Sequence, residues 1–427
     1  MLGIIIGLAL LMFLAYKGMS IIWVAPICAM VVALTGGLEL LPAYTQSYMT
    51  GFVGFAKSWF PVFMLGAIFG KVMDESGAAQ SVAHWIISVI GKKRAILAVV
   101  VACAALTYGG ISLFVVVFAI YPLAIALFRE ANITRKLIPG SIALGAFAFT
   151  MTAVPGTPQI QNLIPMDYYG TTPMAAPIMG TVAALIMFSV GMFWLTYREK
   201  KLSAAGEVFV EPNKKVEITD SSQLPNPFIS ALPLITVVVL LNAFKFNIVT
   251  SLLAGIVLGL VLNYKRIPSM VSTINDGASG SVLAIINTSA AVGFGTVVRA
   301  APGFETLTNV MLGIKGNPLI SEAVAVNVLA GATGSASGGM GIALEALGEK
   351  YVELAASTGV SLEAFHRIAS LASGGLDTLP HNGAVLTLLA VTAMTHKDSY
   401  FDIFITCTAT PVLSVAIAII LASIGLI

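Results

Sequence analysis

Apolar runs approaching membrane-crossing length follow one another along the chain, at 2–16, 20–38, 59–73, 137–165, 174–197, 228–243, 247–264, 280–299, 361–396 and 401–426. A crossing takes about 20 apolar residues, and a backbone in lipid must satisfy its own polar groups, as a helix does. Only 10% of the 427 side chains are charged, where a soluble domain carries about 25%, so a soluble globule is excluded. The chain reads as an all-α polytopic membrane protein. Its net charge of +2 leaves no basic stripe for nucleic acid. Cys28, Cys103 and Cys407 stand singly in apolar runs without ligand spacing, so no disulfide framework, metal site or cofactor is expected. Leu2 to Tyr16 has no basic segment before it and another apolar run directly after it, so it reads as a first span and not a cleaved signal peptide.

Two more apolar stretches, 95–128 and 318–356, are interrupted by Thr107-Tyr108-Gly109-Gly110-Ile111-Ser112 and by Thr333-Gly334-Ser335-Ala336-Ser337-Gly338-Gly339. The arms of the first are short for full crossings, which favours a re-entrant hairpin over two ordinary spans with a tight turn. Residues 198–227, with Arg198, Glu199, Lys200, Lys201, Lys214, Lys215 and Asp220, are the long hydrophilic stretch and divide the chain into 1–197 and 228–427. Phe69-Gly70 recurs as Phe294-Gly295 and Pro155 as Pro380, each 225 residues on, and Gly109-Gly110 recurs as Gly338-Gly339, 229 on. These matched offsets argue for an internal duplication. Each half holds five crossings plus a hairpin that crosses nothing, so the second half is inverted, giving about ten spans and two hairpins in all. With 198–227 as a cytoplasmic linker, sixteen Lys and Arg fall at or near the inner side and six at the outer, which satisfies the positive-inside bias and turns both termini outward.

Backbone groups freed at a break in an apolar helix must be buried in protein or line a wet cavity. The two tips and the two mid-span breaks are therefore the candidates for binding. At the tips, small residues permit close backbone approach, and arms beginning after Ser112 and after Gly339 would offer free N–H groups to a carboxylate. The alternative is that the same residues serve close helix packing. The first broken span carries Thr152, Pro155, Gly156, Thr157, Pro158, Gln159, Gln161 and Asn162; the second carries Asp377, Thr378, Pro380, His381, Asn382 and Gly383. Asp377 and His381 are ionisable groups in an apolar span, costly there and functional by default, and histidine titrates near neutral pH. A structural Asp–His pair pinning the break is the alternative. His84, His366 and His396 lie in amphipathic or interfacial stretches and read as solvated or capping residues. Lys71 beside Asp74-Glu75 reads as a surface ion pair, and Arg299 likewise. Glu322 and Glu345 are outside candidates for a proton carrier. No HExxH, Walker A or GxSxG constellation occurs, so ATP-driven pumping and enzymatic hydrolysis lose support.

The stretches GGMGIAL (Gly338 to Leu344), GGLDTLPHNGAVLTLLAVT (Gly374 to Thr392) and FGKVMDESGAA (Phe69 to Ala79) resemble the gluconate permease (GntP) family of the ion transporter superfamily. Within it the chain is most similar to the D-β-hydroxybutyrate permease branch, over essentially its whole length. The resemblance implies inverted repeats, two opposed re-entrant hairpins, a scaffold that dimerises and a mobile transport domain. The first spans of each half would supply the scaffold. Hairpins 95–128 and 318–356 with broken helices 137–165 and 361–396 would supply the transport domain. The implied protein is a secondary active transporter of the bacterial cytoplasmic (inner) membrane, a homodimer with elevator-type alternating access, taking up small hydroxy-carboxylates with protons. Carried over residue by residue, the substrate site comprises Thr107, Tyr108, Gly109, Gly110, Ser112, Thr152, Gly156, Thr157, Gln159, Asn162, Thr333, Ser335, Ser337, Gly338, Gly339, Thr378, His381 and Asn382, with His381 and Asp377 coupling proton movement. The chain departs from the sugar-acid members around the second break, which favours a monocarboxylate shorter than gluconate. Sodium coupling, a gluconate-type permease and an anion channel are the alternatives. Sodium enters because carbonyls and Thr, Ser and Asn oxygens at such breaks coordinate Na+ equally well.

Overall fold

The computed structural model describes residues 2–212, 221–306, 309 and 317–427; Lys214, Lys215, Asp220 and Lys315 lie outside them. Among the described residues there are helices and no strands. The first half holds α1 (Leu2–Tyr16), α2 (Ile21–Thr35), α3 (Leu40–Glu75), α4 (Ala78–Ile90), α5 (Ala95–Tyr108), α6 (Leu113–Glu130), α7 (138–152), α8 (Ile160–Tyr169) and α9 (Pro177–Ala204). The second holds α10 (Pro227–Asn242), α11 (Ile248–Leu262), α12 (Met270–Ala300), α13 (Pro318–Thr333), α14 (Ala336–Thr358), α15 (Leu362–Ser373), α16 (Gly383–Val391) and α17 (His396–Ser423). Five of these, α3, α6, α9, α12 and α17, are long and apolar enough to cross a membrane, and α1, α2, α4, α10, α11 and α13 are shorter apolar helices.

The two longest helices, α3 and α12, pack along each other. Glycine makes this approach possible: a Cβ on Gly277 would lie 2.7 Å from Ile68 Cα, and one on Gly293 would lie 2.8 Å from the Tyr48 carbonyl oxygen. Small residues at such contacts replace the hydrophobic drive that lipid removes. Both helices overrun the apolar runs 59–73 and 280–299, because Thr45, Gln46 and Ser47 in one and Ser272, Thr273 and Asp276 in the other lower the hydropathy without ending the helix. A segment that hydropathy passed over, 78–90, is also helical. Its Ala78, Ala79, Val82 and Ala83 are buried while Trp85 and Val89 are exposed, a one-sided stripe too short to read as a span.

Helices α5 and α6 pack together around the connection 109–112, and α13 and α14 around Gly334-Ser335. Gly110 (φ +96°) and Gly334 (φ +60°) make those turns in the left-handed region that glycine tolerates. The second arm starts earlier than expected. Ser335 is its N-cap, and Gly338 and Gly339 lie in its first turn with their N–H groups already bonded to Ser335 Oγ (3.1 Å) and Ser335 O (2.9 Å). Helix breaks at 153–159 and 374–382 separate α7 from α8 and α15 from α16.

After α9 the chain folds back across the loop between α6 and α7. Glu207 pairs with Lys136 at 2.8 Å and Glu211 with Arg129 at 2.5 Å. The guanidinium of Arg129 holds the Glu211 carboxyl below its ordinary range. Lys71 and Glu75 form the expected ion pair at 2.9 Å, and Arg299 pairs with exposed Glu349 at 2.6 Å.

Candidate functional site

A cavity of about 730 Å³ lies where four helices begin. Its wall includes the first turns of α6 (Ser112 to Phe114), α8 (Gln159 to Gln161), α14 (Ser335 to Ser337) and α16 (Asn382 to Ala384). First-turn N–H groups have no partner within their own helix. Side chains satisfy few of them here: Ser112 and Gln159 make no cap bond, Ser335 Oγ accepts only from Gly338, and Asn382 Oδ1 accepts from Val385 at 2.9 Å. Four positive helix ends around one space favour an anion, each contributing about 0.3–1 kcal/mol and up to about 2 kcal/mol when partly buried.

Among the described lining residues the ionisable side chains are Asp377 and His381. Asp377 Oδ1 is buried with no hydrogen-bond partner. The His381 ring packs on the second tip, where a Cβ on Gly334 would come 2.9 Å from its Nε2. The long helices contribute unequally. From α12 come Ser281, Asn287 and Thr288, whereas α3 presents Val62, Phe63, Gly66 and Ala67. Val62 and Phe63 stand 225 residues before Asn287 and Thr288, so at that offset α3 offers apolar side chains where α12 offers polar ones. Gly18, Met19 and Ser20, between α1 and α2, and Ile21 at the start of α2 line the cavity as well.

Each break is tied to the tip of its own half by a side-chain amide. Gln159 Nε2 donates to Thr107 O at 2.7 Å, and Asn382 Nδ2 donates to Gly334 O at 2.9 Å. Of the residues read from sequence, Gly110, Ser112, Gln159, Thr333, Ser335, Ser337, Asp377, Thr378, His381 and Asn382 line the cavity. Thr333 Oγ1 turns back onto Leu329 O (3.0 Å), and Thr378 Oγ1 reaches Cys407 O (3.0 Å) and Thr408 Oγ1 (2.8 Å). Gln161, Asn287 and Thr288 also line it. A polar pair inside the apolar run 280–299 is the signal that marks the last two.

The remaining sequence candidates sit behind the wall. Thr107 is buried, with its carbonyl under Gln159; Tyr108 Oη donates to Pro155 O at 3.2 Å; Gly109 abuts Leu234. Gly339 packs where a Cβ would lie 2.1 Å from Ala330 N, and Gly338 lies beside Ser335. Thr152 O accepts from Ser370 (2.7 Å), Thr157 is buried, and Gly156 O accepts from Asn242 (2.9 Å). Asn162 donates to Thr157 O (3.0 Å) and Pro173 O (2.9 Å), which fixes its Oδ1 as the acceptor for Arg367 Nη1 (2.8 Å) and His366 Nε2 (3.2 Å). His366 Nδ1 then accepts from Thr171 Oγ1 at 2.6 Å. His366 is thus fully buried in a hydrogen-bond network, not solvated or capping as its amphipathic stretch suggested, because the polar face of α15 is turned onto the 153–175 segment. His396 does begin a helix, with Nε2 2.9 Å from Pro380 O.

Comparison with known proteins accords with this architecture. A family model described as GntP family permease matches residues 1–242. An uncharacterized transporter, YxjC, of Bacillus subtilis (strain 168) is 43% identical across 97% of this chain and 98% of its own. An uncharacterized permease of Haemophilus influenzae is 28% identical over 56% of this chain and 50% of its own. Among solved structures, the YdaH transporter of Alcanivorax borkumensis shares the fold, with a TM-score of 0.61 over 91% of this chain and 90% of that one, at 13% identity.

Proposed function

The chain belongs to the GntP permease family and is a multi-pass membrane transporter, and from that premise we propose a proton symporter that carries a small hydroxy-carboxylate such as D-β-hydroxybutyrate. The observation that carries this reading is the convergence of four helix N-termini on one cavity whose described ionisable groups are Asp377 and His381. The helix ends hold the carboxylate without a basic side chain. Ser112, Gln159, Ser337 and Asn287, which line the cavity, bind the hydroxyl in this reading, and His381, assisted by Asp377, couples proton movement to binding. The apolar wall of Val62, Phe63 and Phe114 suits a short alkyl end. A polyhydroxylated chain such as gluconate would lay hydroxyls against it without partners, at a cost of about 1–3 kcal/mol each.

In this reading the chain is two inverted repeats in an inner membrane, with α5–α6 and α13–α14 as re-entrant hairpins and 198–227 cytoplasmic. Hairpins and broken helices move together as the transport domain against a dimeric scaffold formed by the first spans of each half. The amide ties at Gln159 and Asn382 support that grouping, since each joins a break to its own tip. Sodium coupling is the second reading, favoured by Asp377 Oδ1 and Gln161 Oε1, two buried acceptors in the cavity wall without donors.

The test is uptake of labelled D-β-hydroxybutyrate into proteoliposomes with lactate and gluconate as competitors. Saturable uptake inhibited by lactate and hardly by gluconate supports the substrate class. Dominant inhibition by gluconate makes the protein a sugar-acid permease, and flux that never saturates makes it a channel.

A further inference from the structure

Eleven residues back along α13 from the cavity-lining Thr333, about 16 Å at the helical rise, stands Glu322, a fully buried carboxylate. Its Oε1 accepts from the hydroxyl of Tyr169, the last residue of α8, and its Oε2 is buried with no hydrogen-bond partner. Among the described residues it forms no ion pair. A carboxylate in a membrane interior without a cation is among the costliest groups a helix can carry, and a chain that keeps one is using it.

The surroundings offer aromatic packing and no charge. From α14 comes Tyr351, whose hydroxyl lies 3.4 Å from Ser321 Oγ beside Glu322. From α15 comes Phe365, whose ring packs on both Tyr169 and Tyr351. The ionisable groups of α15 are engaged elsewhere: Arg367 on Asn162 and Ala175 O, His366 on Asn162 and Thr171, Glu363 on Ala176 N. On α8, Tyr168 turns to Glu345 at 3.3 Å, itself 3.8 Å from Arg299. Residues 2–15 of α1 and 410–423 of α17 contain no ionisable side chain.

Both partners sit on helices that end at the cavity: α8 begins there at Ile160, and α13 reaches it at Thr333. We propose that Glu322 is a proton-binding site remote from the substrate, which keeps its proton while the α8–α13 contact is closed and exchanges it with water when that contact opens. The inference rests on the proton-coupled reading above. A neutral carboxyl fits the closed aromatic shell. Loss of the proton to water leaves an anion that the shell does not pair, so the ionised form favours separation of α13 from α8. Proton binding and the position of two cavity walls are then one equilibrium, biased from either end. On the proposed topology the pair lies on the outer side of the cavity, where a proton would enter.

The test uses proteoliposomes and labelled D-β-hydroxybutyrate. For Glu322→Gln, which is permanently neutral, exchange of internal for external substrate is expected to continue. Accumulation under an inward proton gradient and substrate-linked proton entry are expected to be lost. Accumulation equal to wild type in Glu322→Gln overturns the proposal and leaves the cavity pair Asp377 and His381 as the coupling groups. Wild type that fails to accumulate under a proton gradient overturns the proton-coupled reading and this inference with it. If Glu322→Gln lacks exchange as well, Glu322→Asp and Tyr169→Phe decide: a displaced pH profile of accumulation in both supports the site, and profiles superimposable on wild type overturn it.

Discussion

Arg367 Nη1 donates to Asn162 Oδ1 across 2.8 Å, joining the helix before the second break to the helix after the first. Both residues are fully buried, and the guanidinium also donates to Ala175 O at 2.7 and 3.1 Å. A cation thus sits inside the protein on neutral acceptors, where each hydrogen bond to the charge is worth about 1.5–3 kcal/mol.

Asn162→Ala removes an acceptor from both Arg367 and His366 and is expected to destabilise the protein by about 2–3 kcal/mol. Arg367→Lys is expected to do comparable harm, since one ammonium cannot span the acceptors that the planar fork reaches. Thermal unfolding in detergent checks both. Melting points equal to wild type would mean that the network is not what joins the two helices.

Two glycines near the cavity should respond in opposite ways. Gly339→Ala places a Cβ 2.1 Å from Ala330 N, a backbone atom that cannot step aside, so the arms of the second tip must separate and folded yield should fall. Gly383→Ala meets nothing within 4 Å, and Gly383 lines the cavity. It should fold normally and raise KM. Size-exclusion profiles with uptake kinetics separate the two outcomes.

The amide ties can be cut without removing a cap. Asn382→Asp keeps an oxygen for Val385 N–H but loses the donor to Gly334 O, and Gln159→Glu loses the donor to Thr107 O. Each also adds a negative charge at a helix end proposed to receive an anion. Transport should fall steeply in both, with melting points changed by no more than a few degrees. Uptake rates beside thermal unfolding check this.

The proposed recognition by helix ends requires a charged carboxylate. The methyl ester of D-β-hydroxybutyrate, of nearly the same shape, should compete far more weakly than the acid, by about tenfold or more if two helix ends each contribute near 1 kcal/mol. Equal competition would place the carboxylate elsewhere.

Much of this was legible in the sequence because lipid forces apolar runs to declare themselves. The turns at 109–112 and at Gly334-Ser335 and both helix breaks follow from where those runs stop. Three features were hidden for physical reasons. Segment 78–90 buries only one stripe, so its hydropathy resembles a connection. Asn162 has the polarity of a ligand and His366 that of a solvated or capping residue, and only the third dimension reveals Asn162 Oδ1 accepting from both His366 and the guanidinium of Arg367. Gly338 and Gly339 look like the turn itself, yet Ser335 caps the helix ahead of them, and Gly339 serves its packing against Ala330 while Gly338 lies against Ser335.

The most direct measurement is accumulation of labelled D-β-hydroxybutyrate in proteoliposomes under an imposed inward proton gradient in sodium-free buffer, comparing wild type with His381→Ala. The account predicts accumulation above the equilibrium level in wild type and its loss in His381→Ala. Accumulation that requires sodium, or a mutant that accumulates as wild type does, would contradict it.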